Sequence, residues 1–150
     1  TMFNLEDNLL LFFTGFSRKA GDILKDQKIK SEMKDFDMIN NLHYVKKLGF
    51  KTKDALEVGD FNLFGEIMND HWNHKKSRSN GMTNTDIDNW YNLALKNGAI
   101  GGKLVGAGGG GFLMFMANDR DKLRKKMTSL NLEEVRFKFD FEGTKVILSS

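Results

Sequence analysis

The sequence predicts an α+β fold in which helices cover one face of an antiparallel sheet. A continuously apolar run over residues 9–14 indicates a buried strand near the start of the chain. Amphipathic segments with helical spacing follow it up to Gly98. Near the end, apolar residues alternate strictly with polar ones over residues 135–141, which is typical of a strand with one face on a core. Helices early and strands late favour the α+β class.

Length and composition are those of one soluble domain covering residues 1–150, with 40% hydrophobic and 29% charged residues. The sequence contains no Cys, does not open with a signal peptide, and has no apolar run near the roughly 18 residues that a membrane span needs. Its formal net charge of +3 is too small to indicate nucleic acid. We therefore expect a cytoplasmic protein with neither a membrane nor a nucleic-acid partner.

The first predicted helix begins directly after the first strand. Ser17 offers an N-cap, and Arg18 lies in the first turn of a helix that extends to about residue 29. A helix N-terminus beside an arginine suits an anionic ligand, because backbone N–H groups and a guanidinium point the same way. A plain capped helix with a solvated arginine is equally compatible with this pattern.

The second and fourth helices are predicted from periodicity and end signals. Apolar side chains at helical spacing over residues 38–48 indicate the second helix, with Gly49 as its C-terminal stop. Thr85 and Asp88 have the spacing of a capping box for the fourth, which Gly98 ends.

The third helix carries a basic residue in line with its buried face. Asp60 is the predicted N-cap, and Lys75 continues the apolar stripe by one further step. The stripe consists of Phe61, Phe64, Met68 and Trp72. Basic residues at the end of a helix commonly compensate the helix dipole. The functional alternative is a clamp for an anionic substrate, with Lys75 as its main candidate.

His71 and His74, at i and i+3 on the same helix, could share a metal on spacing alone. A metal site needs three or four ligands, and no third His or Cys accompanies this pair. We therefore predict no metal site in the chain.

The end of the chain predicts a helix followed by a hairpin. Asn118 or Asp119 starts the helix, whose apolar side consists of Leu123, Met127 and Leu130. Its basic side carries no interleaved aromatic residues, which favours a solvated face over a nucleic-acid patch. The alternating strand over 135–141 then turns at Gly143 into a partner strand over 144–148.

A glycine-rich segment organises the chain. Gly106, Ala107, Gly108, Gly109, Gly110 and Gly111 stand between a predicted strand that ends with Lys103–Val105 and the apolar segment Phe112–Ala117. The segment matches G-x-G-x-x-G, but that dinucleotide motif must open a helix, whereas here a strand follows. No Gly-Lys-Ser/Thr triplet occurs, so a P-loop is excluded. A crowded turn between strands remains possible, as does a cradle of N–H groups for a phosphate.

Residues 103–112 resemble the third, C-terminal motif of the GHMP small-molecule kinases. Three further segments are similar to the sugar-kinase branch, with the heptose 7-phosphate kinases first and the fucose kinases second. They are Leu9–Arg18, Gly59–Phe61 and Gly98–Lys103, and the segment His71–Lys75 fits the same branch. The resemblance extends over roughly residues 9–148.

The resemblance implies a ferredoxin-like sheet and a kinase activity that uses ATP and Mg²⁺. It implies that residues 106–111 form part of the nucleotide side of the cleft, and that Ser17, Arg18 and Lys75 hold the anionic end of a sugar phosphate. The family's nucleotide motif, Pro-x-x-x-Gly-Leu-Gly-Ser-Ser, cannot lie in a sequence without proline. We therefore expect this chain to be the C-terminal domain of such an enzyme, with no catalytic residue of its own. The N-terminal nucleotide-binding domain would be its partner.

The implied reaction is phosphorylation of a sugar hydroxyl, namely the anomeric hydroxyl of a heptose 7-phosphate. Two other classes of function compete with it. One is a binding or regulatory module that uses the glycine segment without chemistry. The other is a ferredoxin-like nucleic-acid binder, which the charged outer face of residues 135–141 disfavours.

Overall fold

The computed structural model describes residues 2–16, 20–78 and 80–144. Within these ranges the chain forms six helices and four strands. The helices are α1 (Met2–Asn8), α2 (Ala20–Glu32), α3 (Phe36–Val58), α4 (Phe61–Lys76), α5 (Thr85–Leu95) and α6 (Arg120–Ser129), and the strands are β1 (Leu9–Phe13), β2 (Ala99–Val105), β3 (Phe112–Ala117) and β4 (Glu133–Glu134). Nowhere in the described ranges does a helix combine the length and apolar composition of a membrane span.

The four strands form one antiparallel sheet in the order β2-β3-β1-β4. Strand β1 lies in its interior, as its continuously apolar sequence predicts, with Leu10 opposite Phe115 and Phe12 opposite Leu113. All four of these side chains are buried. The predicted α+β class with an antiparallel sheet is confirmed.

Buried residues form two clusters on opposite faces of the sheet. Because side chains alternate along a strand, Leu10 and Leu9 of β1 point to different faces. The first cluster contains Leu10 and joins the sheet to α5 and α6 through residues such as Tyr91 and Met127. The second contains Leu9 and joins the opposite face to α3 and α4. The sequence predicted helices on one face of the sheet only. In the structure, α5 and α6 cover one face, and α3 and α4 cover the other.

Helix α4 lies unusually close to β2. Gly65 packs directly on Gly101, and a Cβ added at Gly101 would overlap the carbonyl oxygen of Gly65. A Cβ added at Gly65 would lie 2.8 Å from a methyl group of Ile100. Neither residue can be larger without moving the helix away from the strand, so this glycine pair sets the distance between them.

The outer edge of β2 is covered by Tyr91 of α5. Its hydroxyl accepts a hydrogen bond from the N–H of Gly102 at 3.2 Å and lies 2.8 Å from the carbonyl oxygen of the same residue. It also lies 2.8 Å from Oδ1 of Asn69, to which its proton can be donated instead. The Tyr91 hydroxyl thus pairs the N–H of Gly102 and lies within hydrogen-bond distance of its carbonyl oxygen, on a side where the described sheet has no neighbouring strand.

Several helix boundaries differ from the sequence prediction. Helix α1 was not predicted, α2 ends at Glu32 instead of at about residue 29, and α5 ends at Leu95 instead of at Gly98.

Two further boundaries differ for a physical reason that the structure shows. Helix α3 continues through Gly49 and ends at Gly59, which adopts the left-handed conformation with φ 75°. A single glycine in a helix costs only about 1 kcal/mol, which tertiary packing on both sides of it outweighs. Helix α5 is capped by Asn84 rather than Thr85, and the Asn84 side chain accepts from Ile87 N at 2.9 Å.

The C-terminal strand is much shorter than predicted. Only Glu133–Glu134 pairs with β1, and one further hydrogen bond joins Val135 N to Leu11 O. Phe137 and Phe139 pack on the second cluster, as the alternating pattern predicts. However, the N–H of Phe139 donates to the Glu6 carboxylate at 2.7 Å instead of to a strand. Of the predicted partner strand over 144–148, all but residue 144 lies outside the described residues. The predicted helix before this segment is confirmed as α6.

A matched pair of glycine substitutions tests the contact between α4 and β2. We expect Gly101→Ala to lower the free energy of unfolding by about 1–3 kcal/mol, because the added methyl group forces the Gly65 backbone away. Gly49→Ala, within α3 and with nothing within 4 Å of its Cβ, should instead raise it by about 0.5–1 kcal/mol. Urea unfolding of both variants measures the difference, and equal effects would contradict the assigned packing.

Candidate functional site

The glycine segment 106–111 forms a loop that joins β2 to β3, as the sequence predicts. Four of its glycines have positive φ angles, which L side chains rarely adopt. They are Gly106 at 118°, Gly108 at 125°, Gly109 at 72° and Gly111 at 108°. Gly110 is required for a different reason, since a Cβ there would lie 2.6 Å from the carbonyl oxygen of Phe16.

Part of the loop backbone is bound to the rest of the domain. Gly109 N donates to Met82 O at 2.9 Å and Gly111 N donates to Phe16 O at 3.0 Å, while Gly111 O accepts from the backbone and side chain of Thr14. These two N–H groups are therefore unavailable to a ligand. Among the described residues, the N–H groups of Ala107, Gly108 and Gly110 have no acceptor. The loop therefore fits the crowded-turn interpretation at Gly109 and Gly111. The N–H groups of Ala107, Gly108 and Gly110 fit the interpretation as a phosphate cradle.

Lys75 joins the end of α4 to the start of this loop. Its ammonium group donates to Gly106 O at 2.6 Å and to Leu104 O at 3.1 Å. Burial and the nearby charges of Lys103 and Arg78 lower the pKa of Lys75 to about 8. An ammonium group has three donors, so one remains for a ligand. Lys75, predicted as a clamp for an anion, also fixes where the loop begins.

Lys75 is one of four basic side chains that we call the cationic cluster, namely His71, Lys75, Arg78 and Lys103. Their meeting follows from the course of α4 beside β2. Gly65 touches Gly101 at one end of this contact, and Lys75 reaches the end of β2 at the other. His71 and Lys103 lie between these points and line one cavity of about 270 Å³, whose other walls are mainly apolar side chains of α3, α4 and β3.

The cationic cluster is partly buried and forms no salt bridge with a described residue, although Arg78 also lines a second cavity together with two aspartates at the start of α3. Burial lowers the pKa of His71 to about 4, helped by Lys103, Arg78 and Lys75, while Asp70 acts weakly in the opposite direction. Burial also lowers the pKa of Lys103 and of Arg78. At neutral pH the cluster therefore holds a neutral imidazole and three positive charges. None of these three cations forms a salt bridge with a described residue.

Arg78 is held in place yet incompletely bonded. Its Nε donates to Oδ1 of Asn41 at 2.7 Å. Its Nη2 is buried and has no hydrogen-bond partner among the described residues. A buried guanidinium nitrogen without an acceptor is costly unless a ligand supplies one.

The end of α4 does not need the cationic cluster as a cap. The carbonyl oxygen of His74 accepts from Asn41 Nδ2 at 2.7 Å and from Ser77 Oγ at 2.8 Å, both of them neutral groups. Lys76, the remaining basic residue of the last turn, lies 5.7 Å from the centre of the Trp72 ring. The carbonyl of His74 is therefore capped by neutral groups, and the Lys75 ammonium donates to β2 and to the loop instead of to the end of its own helix.

The two histidines of α4 lie in different environments. His74 Nε2 lies 3.4 Å from Asp70, and its ring is 4.0 Å from the ring of Tyr44, on the side of α3. His71 belongs to the cationic cluster. In the described ranges, no group of three or more His, Cys, Asp or Glu side chains is arranged to hold a metal ion.

The structure brings Lys75 and residues 106–111 together, whereas Ser17 and Arg18 lie outside the described residues. The neighbouring Phe16 does contact the loop. Lys103 is a site residue that the sequence pattern did not single out. The available signal was a lysine two residues after Gly101 on a strand, because that spacing places both residues on the face against α4.

Comparison with known proteins identifies the family. The family described as GHMP kinases C terminal matches residues 52–133. The D-glycero-alpha-D-manno-heptose 7-phosphate kinase of Campylobacter jejuni is 34% identical over 144 residues, which cover 94% of this chain and 42% of that protein. The chain belongs to the GHMP kinases. The L-fucokinase/L-fucose-1-P guanylyltransferase of Bacteroides fragilis is 29% identical over 82% of the chain and 13% of its own length.

The same fold occurs in solved structures of this kinase family. The L. major mevalonate kinase in complex with R-mevalonate superimposes with a TM-score of 0.73 at 18% identity, over 81% of this chain and 37% of that one. The present chain thus spans less than half the length of each of these relatives. Its resemblance to the C-terminal domain of GHMP kinases is confirmed.

The electrostatics of the cluster predict a pH dependence of stability. His71 has a pKa of about 4 in the folded chain and an ordinary value of 6.5 when unfolded, so the unfolded chain binds more protons between these values. Its contribution to stability is therefore lost as the pH falls from 6.5 to 4. We expect His71→Gln to flatten unfolding free energy against pH in this window. The exposed His43→Gln serves as control, and identical profiles for the two variants would refute the assignment.

Proposed function

We propose that the chain is the C-terminal, substrate-side domain of an ATP-dependent sugar kinase that phosphorylates the anomeric hydroxyl of a heptose 7-phosphate. The observation that carries this proposal is a partly buried cationic cluster without salt bridges to the described residues, which Lys75 joins to the glycine loop. The substrate named for the Campylobacter jejuni relative supports the choice of sugar. The specificity for the anomeric hydroxyl rests on the resemblance to that branch of the family alone.

Phosphoryl transfer needs positioning and charge neutralisation more than covalent chemistry from the protein. In this proposal, the free N–H groups of Ala107, Gly108 and Gly110 face the nucleotide, which a second domain outside this sequence would bind. Ser17, Arg18 and Lys75 hold the anionic end of the sugar phosphate. Such a reaction runs in the cytoplasm, where ATP is available.

Mg²⁺ is expected to accompany the nucleotide. Mg²⁺ is held by oxygen ligands, mainly carboxylates and phosphates. The described residues near the loop are cationic and present no carboxylate group of this kind. These residues do not fit the ion, so we assign it no ligand and no step in this chain.

A binding or regulatory module of the same fold is the second candidate, because the cationic cluster suits an anion with or without chemistry. The two candidates differ in one measurement. A kinase transfers a phosphoryl group once a nucleotide-binding domain is present, whereas a module binds sugar phosphate and leaves ATP unchanged.

The test is turnover by the complete protein with ATP and D-glycero-D-manno-heptose 7-phosphate, followed by ³¹P NMR to locate the new phosphate. We expect a phosphate on the anomeric oxygen with the complete protein and no turnover with residues 1–150 alone. Gly108→Ala should lower kcat/KM by about 100-fold, because its φ of 125° is strained and its Cβ would lie 2.7 Å from Met82 Sδ.

Lys47→Gln, an exposed substitution on α3 outside the cavity, is the control for Gly108→Ala and should leave kcat/KM unchanged. ATP turnover by residues 1–150 alone would contradict the proposed division of labour. Absence of transfer by the complete protein, together with tight binding of the sugar phosphate, would favour the binding module.

A further inference from the structure

We infer that Arg78 and Lys103, with His71 beside them, form a subsite for the phosphate monoester that the sugar substrate already carries, the group that is not transferred. This inference rests on the proposed function. Within the cationic cluster, Lys75 also fixes the loop through its two carbonyl bonds, while Arg78 and Lys103 supply further donors to the anionic end that the proposed function assigns to Ser17, Arg18 and Lys75.

The positive charges of the cationic cluster are not balanced by salt bridges within the described chain. Elsewhere in the described chain, many basic side chains have acidic neighbours, as in the pairs Lys53–Glu57 at 3.4 Å and Arg124–Glu134 at 2.8 Å. The cationic cluster has no such pair. Of the carboxylates near it, Asp70 is engaged with the Tyr44 hydroxyl at 2.7 Å and with His74 at 3.4 Å, and the two aspartates that line a cavity with Arg78 form no salt bridge with it. Partly buried like charges destabilise a fold unless an anion is bound among them.

Several hydrogen-bond donors of the cationic cluster have no acceptor among the described residues. Arg78 Nη2 is buried and unpartnered, and the Lys103 ammonium and His71 ring have no hydrogen-bond partner in the described part of the chain. Lys75 keeps one donor after its two carbonyl bonds. A phosphate monoester has three terminal oxygens and up to two negative charges, so it can accept from several of these groups at once.

The groups that would bind the phosphate are held near their positions before a ligand arrives. Asn41 holds Arg78 through Nε and also donates to His74 O, so the guanidinium is fixed to the end of α4. The backbone of Lys103 is fixed by its place in β2, opposite Met114, and its side chain lines the cavity with His71. A phosphate site built from groups that are already in position loses little entropy on binding.

The positions of the unused donors indicate which phosphate the cationic cluster binds. The unused N–H groups of Ala107, Gly108 and Gly110 belong to the loop, whereas Lys103 lies within β2 and, with His71, lines the cavity between α3 and α4. The domain therefore offers two separate groups of hydrogen-bond donors that an anion can occupy. A kinase whose acceptor is itself a phosphate ester must hold two anions, the phosphoryl donor and the ester, and the cationic cluster fits the ester.

The test begins with binding to residues 1–150, measured by calorimetry with inorganic phosphate, heptose 7-phosphate, the neutral heptose and ATP. We expect heptose 7-phosphate to bind and the neutral heptose not to bind. Arg78→Gln and Lys103→Gln should each weaken heptose 7-phosphate binding at least about 10-fold, the typical loss for a charge-assisted hydrogen bond. The exposed controls Lys47→Gln and Arg136→Gln should leave it unchanged. Equal weakening by the controls would overturn the subsite.

Stability measurements separate lost contacts from misfolding. Because Lys103→Gln removes one of the repelling charges, we expect its melting temperature without ligand to equal or exceed that of the wild type. Its increase on adding inorganic phosphate should be smaller than in the wild type. A variant that melts lower and gains as much from phosphate as the wild type would overturn the assignment.

Kinetics of the complete protein then distinguish this inference from the proposed function. Arg78→Gln and Lys103→Gln should raise KM for the sugar phosphate about 10-fold and leave KM for ATP unchanged. A rise in KM for ATP alone would identify a nucleotide site and refute the inference while the kinase stands. If no phosphoryl transfer occurs but phosphate binding still depends on both residues, the proposed function fails and the subsite stands.

Discussion

The close contact between Gly65 of α4 and Gly101 of β2 is the constraint on which the rest of the structure depends. Two backbones without side chains between them leave no room for movement, and this fixes the height and direction of the helix over the strand. Ten residues later, Lys75 therefore meets the carbonyl groups at the end of β2, and His71 lies beside Lys103. The cationic cluster is thus a geometric consequence of a contact made at the other end of the helix.

The fold was largely predictable because its main signals are local. The apolar run of β1, the Asp60 cap and the stripe that leads to Lys75 are patterns within one element, and the structure confirms them. Local signals failed where tertiary contacts decide. Gly49 does not end α3, because packing on both sides of it outweighs a small propensity cost. The Phe139 N–H donates to Glu6, a residue 133 positions away, which no pattern within residues 135–141 could indicate.

The site was predictable only in part, for the same reason. The glycine loop is contiguous in sequence, so its composition alone indicates unusual backbone geometry, which its four positive φ angles confirm. That Gly109 and Gly111 are bound to Met82 and Phe16 could not be deduced, since those partners lie on distant segments. Likewise, Lys103 joins Arg78 only because β2 and α4 run side by side. Burial then turns ordinary surface charges into a cluster with altered pKa values.

The way in which the outer edge of β2 is closed has a consequence for association between molecules. An exposed edge strand is a template on which a strand of another chain can pair, and natural proteins block such edges with charges or coverage. Here the Tyr91 hydroxyl accepts from the N–H of Gly102 and lies against its carbonyl oxygen, and the Lys75 ammonium donates to the carbonyl of Leu104. At the opposite side of the described sheet, β4 consists of two glutamates. The same lysine that fixes the glycine loop therefore also protects the sheet against growth by strand addition.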